Sequence, residues 1–168
     1  MDILEVIKTR RSIRQYTGNP ISQDDINKIL EAGRWAPSAS NTQPWKFIVL
    51  QSTEVRKKLA DTLPWGRFLS QAALGIAVTI NPNASSHPVE DGAAATQNIL
   101  LEAHSLGLGA CWIGTYGSAH EASAKEVLNI PQGERLLSVI TIGHPAENPQ
   151  KARKELSELI FTDEYGRQ

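Results

Sequence analysis

Five consecutive residues, Arg10-Arg11-Ser12-Ile13-Arg14, place three guanidinium groups and a hydroxyl where a short helix would end. A guanidinium is a permanently charged, forked donor, so this cluster suits a terminal phosphate. The same cations could instead complement a helix dipole or simply be solvated. Lys151 and Arg153 add two cations on alternate residues of the C-terminal tail, where an exposed surface is the plainer reading. Between these clusters, Ala36-Pro37-Ser38-Ala39-Ser40-Asn41-Thr42-Gln43-Pro44-Trp45 packs hydroxyls and amides between prolines that stiffen the backbone. It could donate to a polar ligand, or be a turn in which Ser and Asn bond their own main chain. Gly109-Ala110-Cys111-Trp112-Ile113-Gly114 has small residues that let backbone approach a flat ligand, with Trp112 as an apolar wall; read plainly, it is a buried strand.

Motifs for other chemistries fail on spacing. Gly107-Leu108-Gly109 has its next glycine at Gly114 and follows a helical pattern, which disfavours a dinucleotide-binding turn. The spacing from Gly109 to Gly114 resembles a P-loop, but Thr115 stands where the phosphate-binding lysine belongs. His120-Glu121 is followed by Ala124 where a zinc-binding helix needs a second histidine, and His87, His104 and His144 are scattered singly. Cys111 has no adjacent base, so it reads as a small packed hydrophobe, and there is no Gly-x-Ser-x-Gly elbow. What remains is chemistry in which a bound cofactor supplies the reactive atoms and the protein supplies position and charge.

The elements that must position these groups follow from periodicity. Asp2 caps a helix containing Ile3, Val6 and Ile7 that ends near Arg10. A capping box at Ser22-Gln23-Asp24-Asp25 opens a second helix with the stripe Ile26, Ile29, Leu30 and Gly33, closed by Pro37. Trp45 to Leu50 reads as a strand, Thr53 caps a helix to Thr62, and an apolar link around Phe68 leads to a strand from Gly75 to Ile80. After a turn-rich connection, Asn81 to Pro88, the stretch Val89 to Leu106 is apolar or small on nearly every side, a helix covered by more than one neighbour. Ser118-Ala119-His120-Glu121 predicts a capping box for a helix to Leu128, and Leu136 to Ile142 a further strand. This order specifies an α+β or α/β sandwich.

Size and composition bound the rest. The 168 residues, 40% hydrophobic, suit a single domain over residues 1–168. A formal net charge of -1 gives no excess for a nucleic-acid backbone or an anionic membrane, so neither is expected as a partner. The N-terminal residues lack the apolar run of a secretory signal, and no stretch approaches the roughly 20 apolar residues of a membrane span. The single cysteine suits a reducing compartment, so a cytoplasmic protein is expected.

Taken together and in order, Arg10 to Arg14, Ala36 to Trp45, Asp91 to Asn98, Leu106 to Gly114 and Lys151 to Arg153 make the chain resemble the FMN-dependent nitroreductase family over nearly its whole length. The resemblance implies a three-layer sandwich, a mostly antiparallel sheet flanked by helices, in an intertwined homodimer that exchanges C-terminal arms (residues 149–168). It implies FMN at the subunit interface. Arg10, Arg11, Ser12 and Arg14 would hold the phosphate and ring edge, with Lys151 and Arg153 completing the cationic shell. Pro37, Ser38 and Asn41 would reach the same flavin from the other subunit. Trp112, Ile113 and Gly114 would lie along one ring face, with the Gly114 backbone N–H near flavin N5. NADH or NADPH would then reduce the flavin and leave before a nitroaromatic, a quinone or a related small acceptor enters, with no side chain acting as nucleophile. The short Asn81 to Pro88 connection, where larger members carry extra helices, implies an open pocket and broad acceptor choice. Rival readings are a specialised flavin enzyme of the same fold (dehalogenase, enoate reductase or flavin-fragmenting), a non-catalytic FMN store, and a structural dimer.

Overall fold

The computed structural model describes residues 2–167. The first three helices each begin at a side-chain cap. The Asp2 carboxylate accepts from the Leu4 N–H and starts α1 (Ile3–Thr9). Ser22 accepts from the Asp25 N–H at 3.1 Å and starts α2 (Gln23–Arg34), whose first turn carries Asp24 and Asp25 against the helix dipole. β1 (Trp45–Leu50) leads to α3 (Thr53–Thr62), which is capped by Ser52 rather than by Thr53. Ser52 has the extended backbone that a cap needs, and Thr53 is already helical. The link around Phe68 is a 3-10 helix, Pro64–Gln71, that buries Gly66 and Leu69. It is followed by β2 (Leu74–Ile80), α4 (Pro88–Ser105), β3 (Gly109–Gly114), α5 (Glu121–Val127) and β4 (Arg135–Gly143).

The sheet has the order β1-β2-β4-β3 and is antiparallel throughout, with Trp45 opposite Ile80, Ile76 opposite Ile140 and Ala110 opposite Ile142. Alternate residues face opposite sides. Ile76 and Val78 meet Ile29 of α2 and Ile99 of α4, whereas Ala77 and Val139 meet Leu59 of α3, Leu69 and Ala124 of α5. Helices cover both faces, so every residue of β2 is buried. This is the expected three-layer α+β sandwich. Close packing fixes α4 to the sheet: a Cβ on Gly92 would come within 2.6 Å of both Ile80 and Leu137.

One expected cap does not form. α5 begins at Glu121 behind His120, with no side-chain cap. The Glu121 carboxylate instead accepts from the Gly117 N–H at 2.8 Å, from Arg135 Nε and Nη2 at 2.7 Å, and from the Leu136 N–H at 3.2 Å. An ion pair to β4 outcompetes a local cap, because Glu121 lies where Arg135 can grip both of its oxygens. The tail beyond Pro149 lies on the surface and forms a short 3-10 turn, Leu156–Leu159. No described helix is long and apolar enough to cross a membrane.

Candidate functional site

After α1 the chain runs as a strap beside β3. Ser12 bridges Ala110 in parallel, the Ile13 N–H donates to the Ala110 carbonyl at 3.0 Å, and Tyr16 bridges Pro145. Two glycines make room for the strap: a Cβ on Gly109 would lie 2.8 Å from Ile13, and one on Gly143 would lie 2.7 Å from the Tyr16 ring. The Tyr16 hydroxyl donates to the Ile13 carbonyl at 2.5 Å and lies 2.6 Å from Thr141 Oγ1. Burial pushes this phenol well above its ordinary range. A rigid strap therefore aims the cations that precede and interrupt it.

Those cations meet the tail. Arg10, Arg11, Ser12 and Arg14 share a cleft of about 220 Å³ with Pro149, Lys151 and Arg153. Among the described residues, none of these five cations has a carboxylate partner. The nearby acid, Glu147, accepts the main-chain N–H groups of Arg14 and Gln15 at 2.5 and 3.2 Å. Burial, then Arg153 and Arg11, hold the Arg10 guanidinium below its ordinary value. Arg11 donates to the Lys8 and Arg10 carbonyls at 2.6 and 2.9 Å, and its buried Nε has no partner. Like charges held together without carboxylate partners are a set of donors that could receive an anion.

The polar loop is strained. Ser40, Asn41 and Gln43 have φ of 51°, 55° and 48°, left-handed backbone that disfavours a residue with a side chain by about 1 kcal/mol each. Ser38 Oγ accepts from the Gln43 N–H at 2.9 Å, and the Ser38 carbonyl from the Asn41 N–H at 3.0 Å. Asp91, 6% exposed in the first turn of α4, accepts from the Ala39 N–H at 3.0 Å and from Ser85 Oγ at 2.5 Å. Sequence reasoning attached no role to Asp91. The available signal was an acid beside the small, apolar run Gly92 to Ala95 at the start of a helix.

Trp112 and Ile113 do not share a wall. They alternate across β3, so Trp112 packs on the α2–α4 side while Ile113 is buried among residues of α3, α5 and the 3-10 helix. β3 is an edge strand, and what Trp112 to Gly114 jointly offer a ligand is backbone, most openly at exposed Gly114. Aromatic groups rim this end of the strand. Arg14 lies 5.9 Å from the Phe68 ring, Trp65 meets His120 edge-on at 5.1 Å, and Arg135, gripped by Glu121, lies 4.4 Å from the Tyr116 ring. Burial pushes the Cys111 thiol up, in keeping with its reading as a packed hydrophobe.

The basic cleft and the polar loop lie at opposite ends of α4. Thr9 Oγ1 meets His104 Nε2 at 2.8 Å near the helix C-terminus, and Asp91 holds the loop at its N-terminus. Thirteen residues at about 1.5 Å each separate these anchors by roughly 20 Å. Pro37, Ser38 and Asn41 thus stand apart from the cations of the same chain. Apolar side chains are left uncovered at Ile3 (73% exposed), Trp35 (71%) and Leu156 (70%). Ile3, Val6, Ala32, Trp35 and Leu101 line a groove of about 360 Å³.

The sequence pattern of the nitroreductase family matches residues 7–66 and 61–144. A relative from Archaeoglobus fulgidus, named as a candidate NADH dehydrogenase/NAD(P)H nitroreductase, is 42% identical over 151 residues, covering 87% of each chain. The crystal structure of a candidate nitroreductase from Desulfovibrio desulfuricans in complex with FMN superposes with a TM-score of 0.85 at 33% identity, covering 98% of both chains. The NADPH:FMN oxidoreductase of Vibrio harveyi, complexed with NAD+, superposes at 0.88 with 28% identity over all of this chain and 80% of that one. The family pattern covers most of the strap, sheet and helices that build the site, and on that ground the chain belongs to the nitroreductase family.

Proposed function

We propose that this chain is an FMN-dependent NAD(P)H oxidoreductase that reduces nitroaromatics, quinones or related small acceptors, working as a cytoplasmic homodimer. The observation that carries the reading is the basic cleft: five cations with no carboxylate partner among the described residues. That donor set fits a phosphate monoester, the anionic end of FMN. Arg10, Arg11, Ser12, Lys151 and Arg153 would hold the phosphate. The ring would then run along the edge of β3, with the Gly114 N–H turned towards it. When bound, FMN supplies hydride acceptance and delivery at N5. The residues contribute position and charge: Arg14, with Lys151 or Arg153, offsets negative charge gained on reduction, and Phe68, Tyr116 and Trp65 shape an apolar rim for flat substrates.

A dimer supports this geometry. A polar loop held at the far end of α4 from its own chain's cleft is placed to contribute to an FMN site across a subunit interface. The exposed Ile3, Trp35, Leu156, Leu159 and Phe161 supply apolar surface for such an interface, with the tail from residue 149 as an exchanged arm. The short connection between β2 and α4 leaves the face open, favouring broad acceptor choice and successive use of one space by donor and acceptor. The test is direct. Purified protein should be yellow, its flavin absorption bleached anaerobically by NADH or NADPH, and double-reciprocal plots with two substrates should be parallel. Colourless protein that FMN does not reconstitute refutes the proposal.

A further inference from the structure

We infer that Asp91 is a positioning residue acting in trans: by holding the strained Ser38 to Gln43 loop of its own protomer, it sets the FMN affinity of the partner's site. The inference rests on the proposed dimeric flavin enzyme and adds a residue to it. Asp91 is buried, yet among the described residues no cation pairs with it. Its carboxylate oxygens are instead used on the Ala39 amide and the Ser85 hydroxyl. It thereby joins the start of α4, the polar loop and the β2–α4 connection. The Asn81 N–H, which donates to the Pro44 carbonyl at 2.9 Å, closes the same junction. Three left-handed non-glycine residues follow within four positions of the Ala39 amide, a conformation that persists only when its surroundings enforce it. Asp91 acts on the loop at one end of α4, while its own protomer's cations sit at the other. Any effect on FMN therefore falls on the partner's site.

FMN titrations of the apo protein, read by quenching of flavin fluorescence, test this. Asp91→Ala should weaken FMN binding at least tenfold while the far-UV spectrum and dimer mass stay unchanged. Asp91→Asn, whose amide oxygen can still accept from Ala39, should recover most of the affinity. A mixed dimer of one Asp91→Ala subunit and one Arg10→Ala/Arg14→Ala subunit, isolated with two different tags, decides the direction of action. Action in trans combines both defects in one site and leaves the other wild type, so one high-affinity FMN per dimer should bind. No high-affinity site in the mixed dimer, or unchanged affinity in Asp91→Ala, overturns the inference and leaves the enzyme reading intact. If Asp91→Ala does not fold, Ser85→Ala removes one of the two bonds and enters the same mixed-dimer test with a smaller loss of affinity. Wild-type protein that binds no FMN overturns the reading and this inference with it.

Discussion

Arg153→Ala should make the apo protein slightly more stable and the FMN-bound protein less stable. Arg153 lies with Arg10, Arg11, Arg14 and Lys151 in one cleft, with no carboxylate partner among the described residues, and it helps depress the Arg10 guanidinium. Removing one like charge from an exposed cluster is worth up to about 1 kcal/mol, or roughly 2–4 °C in Tm for a chain of this size. With FMN the sign inverts. A charge-assisted bond to phosphate contributes about 1.5–3 kcal/mol, so Kd should rise roughly 10- to 150-fold. At FMN of about 100 times the wild-type Kd, ligand binding stabilises the wild type by about 2.7 kcal/mol; a variant with 30-fold weaker binding gains about 0.9 kcal/mol. Differential scanning fluorimetry with and without FMN, beside a fluorescence titration at two salt concentrations, should show the melting curves change order. A Kd within twofold of wild type, or a variant destabilised equally in both states, would refute the idea that the cluster exists for an anion.

Glu121→Gln tests the ion pair under the Tyr116 rim. Burial raises the Glu121 carboxyl, but Arg135 and the Gly117 and Leu136 amides outweigh it and hold it below its ordinary 4.5. A folded-state value below the unfolded one means that the stabilisation is fully present above about pH 5 and lost as pH falls through 4.5 and lower. The variant should lose roughly 2 kcal/mol at pH 7 by denaturant titration, with the gap to wild type closing in acid; a gap independent of pH would show that the charge is irrelevant. Gly109→Ala adds a methyl 2.8 Å from Ile13, so the strap must shift; stability should fall by about 1–3 kcal/mol and FMN should bind more weakly, whereas unchanged FMN affinity would separate strap position from binding. Trp35→Lys with Leu159→Lys puts charge on two of the exposed apolar positions and should yield a monomer by sedimentation velocity that has also lost FMN; a persisting dimer would place the interface elsewhere.

Local rules were readable in the chain itself. Capping and periodicity located α1 and α2, the run of small and apolar residues from Val89 to Leu106 located α4, and the short apolar runs Trp45 to Leu50 and Leu136 to Ile142 located strands, because these patterns depend on neighbours within a few residues. Arg10 to Arg14 could be singled out by residue type, since three guanidiniums and a hydroxyl within five residues are a dense set of donors. Three features needed the tertiary structure. Lys151 and Arg153 join the first cluster only because the strap beside β3 ends next to the chain leaving β4, a proximity between residues some 140 positions apart. Glu121 abandoned its expected cap for Arg135, a partner that the packing of α5 against β4 supplies and helix propensity cannot anticipate. Trp112 and Ile113, adjacent in sequence, were separated by the pleat of β3 onto opposite faces of the sheet. Residue types alone marked the cations as candidates for a phosphate. Which of them share a site, and which loop must come from elsewhere, was decided by the length of α4 and the order of the strands, because distance in a folded chain is set by packing and not by sequence separation.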